Sequence, residues 1–375
     1  MLSPEAYLDV LQDSGLNFFA GVPDSLLKQI CGVITDRLGS DLHVITANEG
    51  AAVGLGIGYY LATGEVPLVY MQNSGLGNVV NPVLSLASPE VYGVPMVMLI
   101  GWRGRPGVKD EPQHVHQGRV TEPMLDSMDV PTFVLDETIE AAATTTQAAV
   151  AKAKAIKGPV ALLVKKGTFD AYKRDTDFLP MNMEREEAIV AIADAVESNA
   201  AVVCTTGMPS RELFEHRART GGRHETDFLC VGGMGHASKI ALGIAMSQSE
   251  RPVYCIDGDG AALMHLGSMA IIGNSGVSNM IHLVVNNGAH ESVGGQPTVG
   301  FDIDMPAIAA ACGYSSSVRV KENVEELAQA IEQARQTNGP AFIEVQVKAG
   351  HRADIGRPTK TPKENKTALM EFLAG

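Results

Sequence analysis

Val253-Tyr254-Cys255-Ile256-Asp257-Gly258-Asp259-Gly260 and, further on, Ile281-His282-Leu283-Val284-Val285-Asn286-Asn287-Gly288 are the two stretches that decide the fold. Each is a short apolar run that ends in glycine and in side chains carrying oxygen. A continuous apolar run of this length is the pattern of a strand buried on both faces. Between them, residues 261–272 have a helical pattern and residues 273–279 read as a loop, so the whole segment reads as one βαβ unit. Its right-handed crossover puts both strand ends on the same edge of a sheet, where open α/β sheets bind ligands. Asp259 and Asn287 are then expected to face one another across a short gap. Mg²⁺ takes hard oxygens and keeps few protein ligands when phosphates complete its shell. One carboxylate, one amide oxygen, one backbone carbonyl and two diphosphate oxygens meet that demand. Gly258 and Gly260 admit a phosphate to close approach, and backbone N–H groups can cradle it. Either motif alone is an ordinary turn signal. The pair, each at a strand end and 25 residues apart, is far more specific.

The same alternation runs outward in both directions. Residues 43–47, 67–71, 95–100 and 160–164 read as buried strands, with a small-residue helix over 51–62. Around residues 167–187 the pattern breaks into polar, non-periodic sequence. It restarts with helices over 187–197, 237–246, 308–312 and 324–336 and strands over 201–204, 253–256, 281–285 and 341–345. The reading is an α/β chain with two parallel-sheet domains: residues 1–168, a linker over 169–186, and residues 187–375. The basic stretch 350–366 reads as a surface extension.

A chain of 375 residues is long enough for two domains. A net charge of −14 argues against nucleic acid and against an anionic membrane surface as partners. No apolar run is long enough to span a membrane, and the first residues lack the pattern of a signal peptide. The five cysteines are odd in number and widely spaced, which points to neither a disulfide framework nor a zinc site. A reducing cytoplasm is the expected compartment.

With the Gly258-Asp259-Gly260…Asn286-Asn287 segment, the sequence resembles the thiamine-diphosphate-dependent enzymes. The resemblance implies that Asp259, the side chain of Asn287 and the backbone carbonyl of Ala289 ligate Mg²⁺. Family members often carry Ser after the motif. Here Ala261 offers no hydroxyl, so backbone amides must hold the phosphate. The family also needs a glutamate beside N1′ of the cofactor's pyrimidine, and Thr46-Ala47-Asn48-Glu49-Gly50-Ala51-Ala52 matches that place. Glu49 is expected to be desolvated among small apolar residues, where a carboxyl favours sharing a proton. Its alternative is a first-turn acid that complements the helix dipole. Met234, in Gly232-Gly233-Met234-Gly235-His236, matches the apolar residue that props the cofactor in its bent form. Thr206 and Gly207 end a strand before a helix expected from Arg211, where they can meet the diphosphate. The pyrimidine-binding domain is thus the first and the diphosphate-binding domain the second.

No room remains for a central third domain, and this compact layout resembles the phosphonopyruvate and sulfopyruvate decarboxylases. The markers are residues 21–27, 102–104, 110–119 and 206–212, with 286–298 most like the phosphonopyruvate enzymes. The resemblance implies attack of the cofactor's C2 on the keto carbon of 3-phosphonopyruvate, loss of CO₂ and release of phosphonoacetaldehyde. It implies Asp24, His114 and His290 for proton transfer. Ser25, Gln113, His116 and Arg119 are the candidates for holding the anionic end. Arg103, Arg105, Lys109, Arg352 and Arg357 are further cations able to clamp it. Asp24 has an alternative as a helix N-cap, and His114-Val115-His116 as a solvated loop. The rival readings are sulfopyruvate decarboxylation, an acetolactate-type carboligase and a regulatory module without chemistry. Gly54-Leu55-Gly56-Ile57-Gly58 lies inside a helix and fails the Rossmann context. Enzymes of this kind build their site across subunits, so a homodimer or a dimer of dimers is expected.

Overall fold

The structure, a computed structural model, describes residues 1–174 and 178–375; the middle of the expected linker, residues 175–177, lies outside the described residues. Two compact units emerge, Met1–Thr176 with Ser292–Gln296, and Asp177–Glu291 with Pro297–Gly375.

The first unit is built on strands β1 (Phe19–Gly21), β2 (His43–Ile45), β3 (Leu68–Gln72), β4 (Met96–Gly101), β5 (Thr132–Val134) and β6 (Pro159–Val164). They form a six-stranded parallel sheet in the order β2-β1-β3-β4-β6-β5. Successive residues point to opposite faces, and both faces are covered. Leu68, Tyr70, Val97, Leu99, Leu162 and Val164 enter one apolar cluster. Val69, Met71, Met96, Met98, Ala161 and Leu163 enter another. This is why the runs are continuously apolar rather than alternating.

The second unit repeats the plan with β7 (Ala201–Cys204), β8 (Asp227–Leu229), β9 (Val253–Gly258), β10 (Met280–Asn286), β11 (Ser316–Val320) and β12 (Ala341–Gln346). Their order, β11-β12-β10-β9-β7-β8, is the order of the first sheet read from its other edge. Again the pairs are parallel, with Val285 opposite Gly258 and Cys204 opposite Ile256. In both sheets the strand order reverses between the first and third strands. That switch point is where ligands bind in open α/β sheets.

Several local readings change. Residues 261–272 are not one helix but two, Asp259–Met264 and Ser268–Gly273, broken at His265–Gly267. The helix after β7 begins at Met208 rather than Arg211, with Pro209 in its first turn, a position where the missing N–H costs nothing. His114 and His116 lie in the helix Pro112–Ser127, not in a loop. The expected surface extension holds for residues 350–361, which are irregular and largely exposed, but its end is helical: Pro362–Ala374 is a helix opened by a Thr361/Glu364 capping box. Asn365 ties it to the edge strand β8, donating to the Asp227 carbonyl at 2.7 Å and accepting from the Leu229 N–H at 3.1 Å. Among the described residues no helix is long and apolar enough to cross a membrane.

Candidate functional site

Strand β9 runs through Gly258, and a helix starts directly at Asp259, so the first motif is a strand-to-helix corner without a loop. Its neighbour β10 ends at Asn286, which puts Asn287 beside Asp259 on the same sheet edge. The Asp259 side chain is 3% exposed and accepts a hydrogen bond from the Thr298 hydroxyl. Burial pushes its carboxyl up to about 6, against the pull of Thr298 and of the backbone N–H groups of Gly260, Asp259 and Asn287. Among the described residues no Lys, Arg or His forms an ion pair with it. A buried carboxylate without a cation is costly, and a divalent ion relieves that cost.

Asn287 completes the corner. Its Oδ1 accepts from the Ala289 N–H at 3.2 Å, and its Nδ2 donates to Glu291 Oε2 at 3.0 Å. Asn286 takes no part in facing the ligand edge, because its Nδ2 is consumed by Gly300 O and Glu344 Oε1. A Cβ at Gly300 would lie 2.6 Å from Asn286 Oδ1 and 2.9 Å from Asp259 Oδ2. Thr298 and Gly300 therefore shape the site, although neither was singled out as a site residue. Their contacts reach back 39 residues and need the fold. The imidazole of His290 approaches Gly260, with 3.0 Å between Cε1 and a Cβ built there. Burial pushes His290 down to about 4, so it is neutral at pH 7.

The switch point lies between β7 and β9. Thr206 and Gly207 follow β7 there, and the Thr206 hydroxyl accepts from the Gly232 N–H at 3.0 Å. Gly207, at φ 102°, opens the helix Met208–Thr220, whose first N–H groups have no helical partner. The loop carrying Met234 closes onto the same corner. Gly235 is buried, and a Cβ on it would come within 3.0 Å of Ala261 O. Backbone N–H groups at a helix start and one hydroxyl are the kind of donors that can meet a phosphate.

In the first unit, Glu49 is the first residue of the helix Glu49–Thr63, after the N-cap Asn48. It does not point to solvent as a dipole-complementing acid would. It is 5% exposed and accepts from Asn78 Nδ2 at 2.7 Å. Among the described residues no cation pairs with it. Gly75 makes room for it, since a Cβ there would sit 2.6 Å from Glu49 Oε1. Gly75→Ala is expected to displace the carboxylate and to lower kcat about tenfold, an angstrom-scale misplacement being worth that much or more. An unchanged far-ultraviolet circular dichroism spectrum beside the kinetics separates this from unfolding.

Asp24 lies after β1, fully buried, and accepts from the Leu26 N–H at 2.9 Å. The following helix, Lys28–Arg37, has Leu27 as its cap, so Asp24 is not a helix N-cap. Burial pushes Asp24 up to about 6, against the Leu26 N–H and the nearby Arg103 charge. A carboxyl with a higher pKa folded than unfolded binds extra protons in the native state. Stability therefore falls as pH rises from about 4 through about 6 and stays lower above it. Asp24→Asn removes that loss. It is expected to gain about 3 kcal/mol at pH 8 and nothing below about pH 4, by urea unfolding at both pH values.

Arg103 grips Asp110 bidentately, at 2.8 and 2.5 Å, and donates to Ser25 Oγ at 2.6 Å. It therefore holds the Asp24–Ser25 turn and is not free to clamp an anion. Among the described residues, Gln113 Oε1 and His114 Nδ1 are buried without a hydrogen-bond partner. Burial also lowers the His114 pKa. His116 and Arg119 are exposed and bond to one another at 2.9 Å on one helix face. Arg352 is spent on Glu186, Glu215 and Asp354.

Residues 4–128 match the thiamine pyrophosphate enzyme N-terminal TPP binding domain, and residues 205–345 the C-terminal TPP binding domain. Phosphonopyruvate decarboxylase of Streptomyces viridochromogenes is 35% identical, over 96% of this chain and 92% of its own length. That of Streptomyces hygroscopicus is 34% identical, over 99% and 94%. Sulfopyruvate decarboxylase of Methanosarcina acetivorans is more distant, 26% identical over 98% and 97%. With both thiamine pyrophosphate domains present and the likeness running nearly end to end, the chain belongs to the phosphonopyruvate decarboxylase family of thiamine pyrophosphate enzymes.

Proposed function

We propose that this protein decarboxylates 3-phosphonopyruvate to phosphonoacetaldehyde and CO₂, with thiamine diphosphate and Mg²⁺ as cofactors. The observation that carries the reading is the buried Asp259 carboxylate, without a cation partner among the described residues, set beside Asn287 at the carboxyl ends of β9 and β10, next to the sheet's switch point. That donor set suits Mg²⁺, which the Asp259 carboxylate, Asn287 Oδ1 and the Ala289 carbonyl would hold. Thr206, Gly207, Met234, Gly235, Gly258, Gly260 and Ala261 would frame the diphosphate and thiazolium. Bound thiamine diphosphate supplies an electron sink for the pair left behind by departing CO₂.

The chain's own residues do the rest. Glu49 would share a proton with N1′ of the aminopyrimidine; it is nearly fully buried, and its side-chain partner among the described residues is the neutral Asn78. Asp24, held protonated to about pH 6 by burial, is the proton donor to the carbon that loses CO₂. His114 and His290, both kept neutral, relay protons. Ser25 is the better supported contact for the substrate's anionic end, through its fixed hydroxyl; Gln113 would have to donate from its amide NH₂, since its buried Oε1 only accepts. His116 and Arg119 are less supported, being exposed and mutually paired.

Sulfopyruvate is the second reading, and the lower identity of the sulfopyruvate relative leaves it behind. A homodimer or a dimer of dimers is proposed, supported by exposed Leu55 and Leu61 on the Glu49 helix and Leu84 and Leu86 nearby in sequence. The five free cysteines support a cytoplasmic setting. The test is product identification after incubation with phosphonopyruvate. Phosphonoacetaldehyde and CO₂ in equal amounts, requiring both thiamine diphosphate and Mg²⁺, is the expected result. Turnover of pyruvate alone overturns the proposal.

A further inference from the structure

Four residues after Asn287, Glu291 sits at the centre of a polar network confined to the second unit. Its Oε2 accepts from Asn287 Nδ2 at 3.0 Å, from Arg185 Nη1 at 2.6 Å and from the Gly350 N–H at 3.0 Å. Its Oε1 accepts from His351 Nδ1 at 2.5 Å. Arg185 is 5% exposed and already neutralised by Glu212, which takes its Nε and Nη2. Glu291 is thus not needed to satisfy a buried arginine. It is a second, ionised acceptor brought to one particular amide.

An asparagine amide has two ends that are nearly equal in shape and opposite in chemistry. A carboxylate can only accept, so the Asn287 NH₂ must face Glu291. The Ala289 N–H, a donor, independently fixes the oxygen at the other end. One Oδ1 lone pair is left for a cation. We propose that Glu291 is a positioning residue which locks the Asn287 amide with its oxygen toward the metal, and that Arg185 and the tail residues Gly350 and His351 hold the Glu291 carboxylate for that task. This deepens, and rests on, the reading of Asn287 as a Mg²⁺ ligand. The segment after β12 thereby acts on the metal site from sixty residues away in sequence.

Partners that orient a metal ligand are worth about 10- to 100-fold in metal affinity. The experiment is equilibrium dialysis of thiamine diphosphate against the full-length protein at stepped Mg²⁺, without substrate. Glu291→Ala is expected to raise the Mg²⁺ concentration for half-maximal cofactor binding by about that factor. Glu291→Gln, which keeps one acceptor oxygen, shifts it less. His351→Ala, a partly exposed change that removes one anchor, shifts it least and in the same direction. A merely structural role lowers the melting temperature but leaves the Mg²⁺ dependence of the folded protein alone. If Glu291→Ala does not fold, the other two variants decide. Wild-type Mg²⁺ dependence in both overturns the inference. Absence of any Mg²⁺ dependence in the wild-type protein overturns instead the metal reading on which it rests.

Discussion

Glu49→Ala is expected to lower kcat about 10³-fold while thiamine diphosphate binding changes only a few-fold. The size follows from the role. A positioned acid–base group contributes about 10²- to 10⁴-fold, and here the environment sharpens it. Glu49 is 5% exposed, opens a helix of small residues and has Asn78 as its neutral hydrogen-bond donor. In the proposed site the diphosphate and metal would be held by other residues, so affinity should be largely spared. Steady-state rates and a cofactor titration on the same preparation read both numbers. Activity within a few-fold of wild type removes Glu49 from its role.

Asp259→Ala is expected to do the reverse, abolishing Mg²⁺-dependent retention of the cofactor and with it all turnover. Asp259 offers the one charged oxygen in the proposed ligand set; Asn287 and Ala289 contribute neutral oxygens. Losing a carboxylate from a site with so few protein ligands removes most of its attraction for a divalent ion. The apo-protein should not suffer. Its buried carboxyl has no cation partner among the described residues, and burial raises its pKa to about 6, so removing it relieves a cost. Gel filtration with and without Mg²⁺, followed by measurement of bound cofactor, distinguishes the outcomes. Retention equal to wild type contradicts the assignment of Asp259.

Both residues were legible in the sequence for related reasons. Asp259 and Asn287 could be read because both motifs stand at the ends of continuous apolar runs. Those runs are strands covered on both faces, such as β9 with Tyr254 in one cluster and Cys255 in the other. Parallel strands of this kind announce themselves, and their ends fix where ligands go. Glu49 was legible for a similar reason, as the residue opening a small-residue helix after β2.

What stayed hidden depends on tertiary contact. Asn78 reaches Glu49 across 29 residues and Thr298 reaches Asp259 across 39, and no local pattern encodes either pairing. Strands β1, β5 and β8, three residues each, are too short to carry a period; β2 is equally short but lies in the readable run 43–47. The helix Pro112–Ser127 is polar enough to pass for a loop, because its buried face is only Gly118, Thr121 and Leu125. The tail helix did carry a signal, Thr361-Pro362 with Glu364 three residues on, which is a capping box with proline at the first helical position. The arginines misled because charge alone does not tell a free guanidinium from one committed to a neighbour. Arg103 belongs to Asp110, and Arg352 to Glu186 and Glu215.

The most direct test is a competition. The protein, loaded with thiamine diphosphate and Mg²⁺, receives phosphonopyruvate and sulfopyruvate at equal concentration, and nuclear magnetic resonance follows the two aldehydes. The product ratio reads the ratio of kcat/KM. A phosphonate carries more charge than a sulfonate, and one additional charge-assisted hydrogen bond is worth about tenfold or more. Phosphonoacetaldehyde in at least that excess is the expected result; sulfoacetaldehyde as the main product contradicts the account.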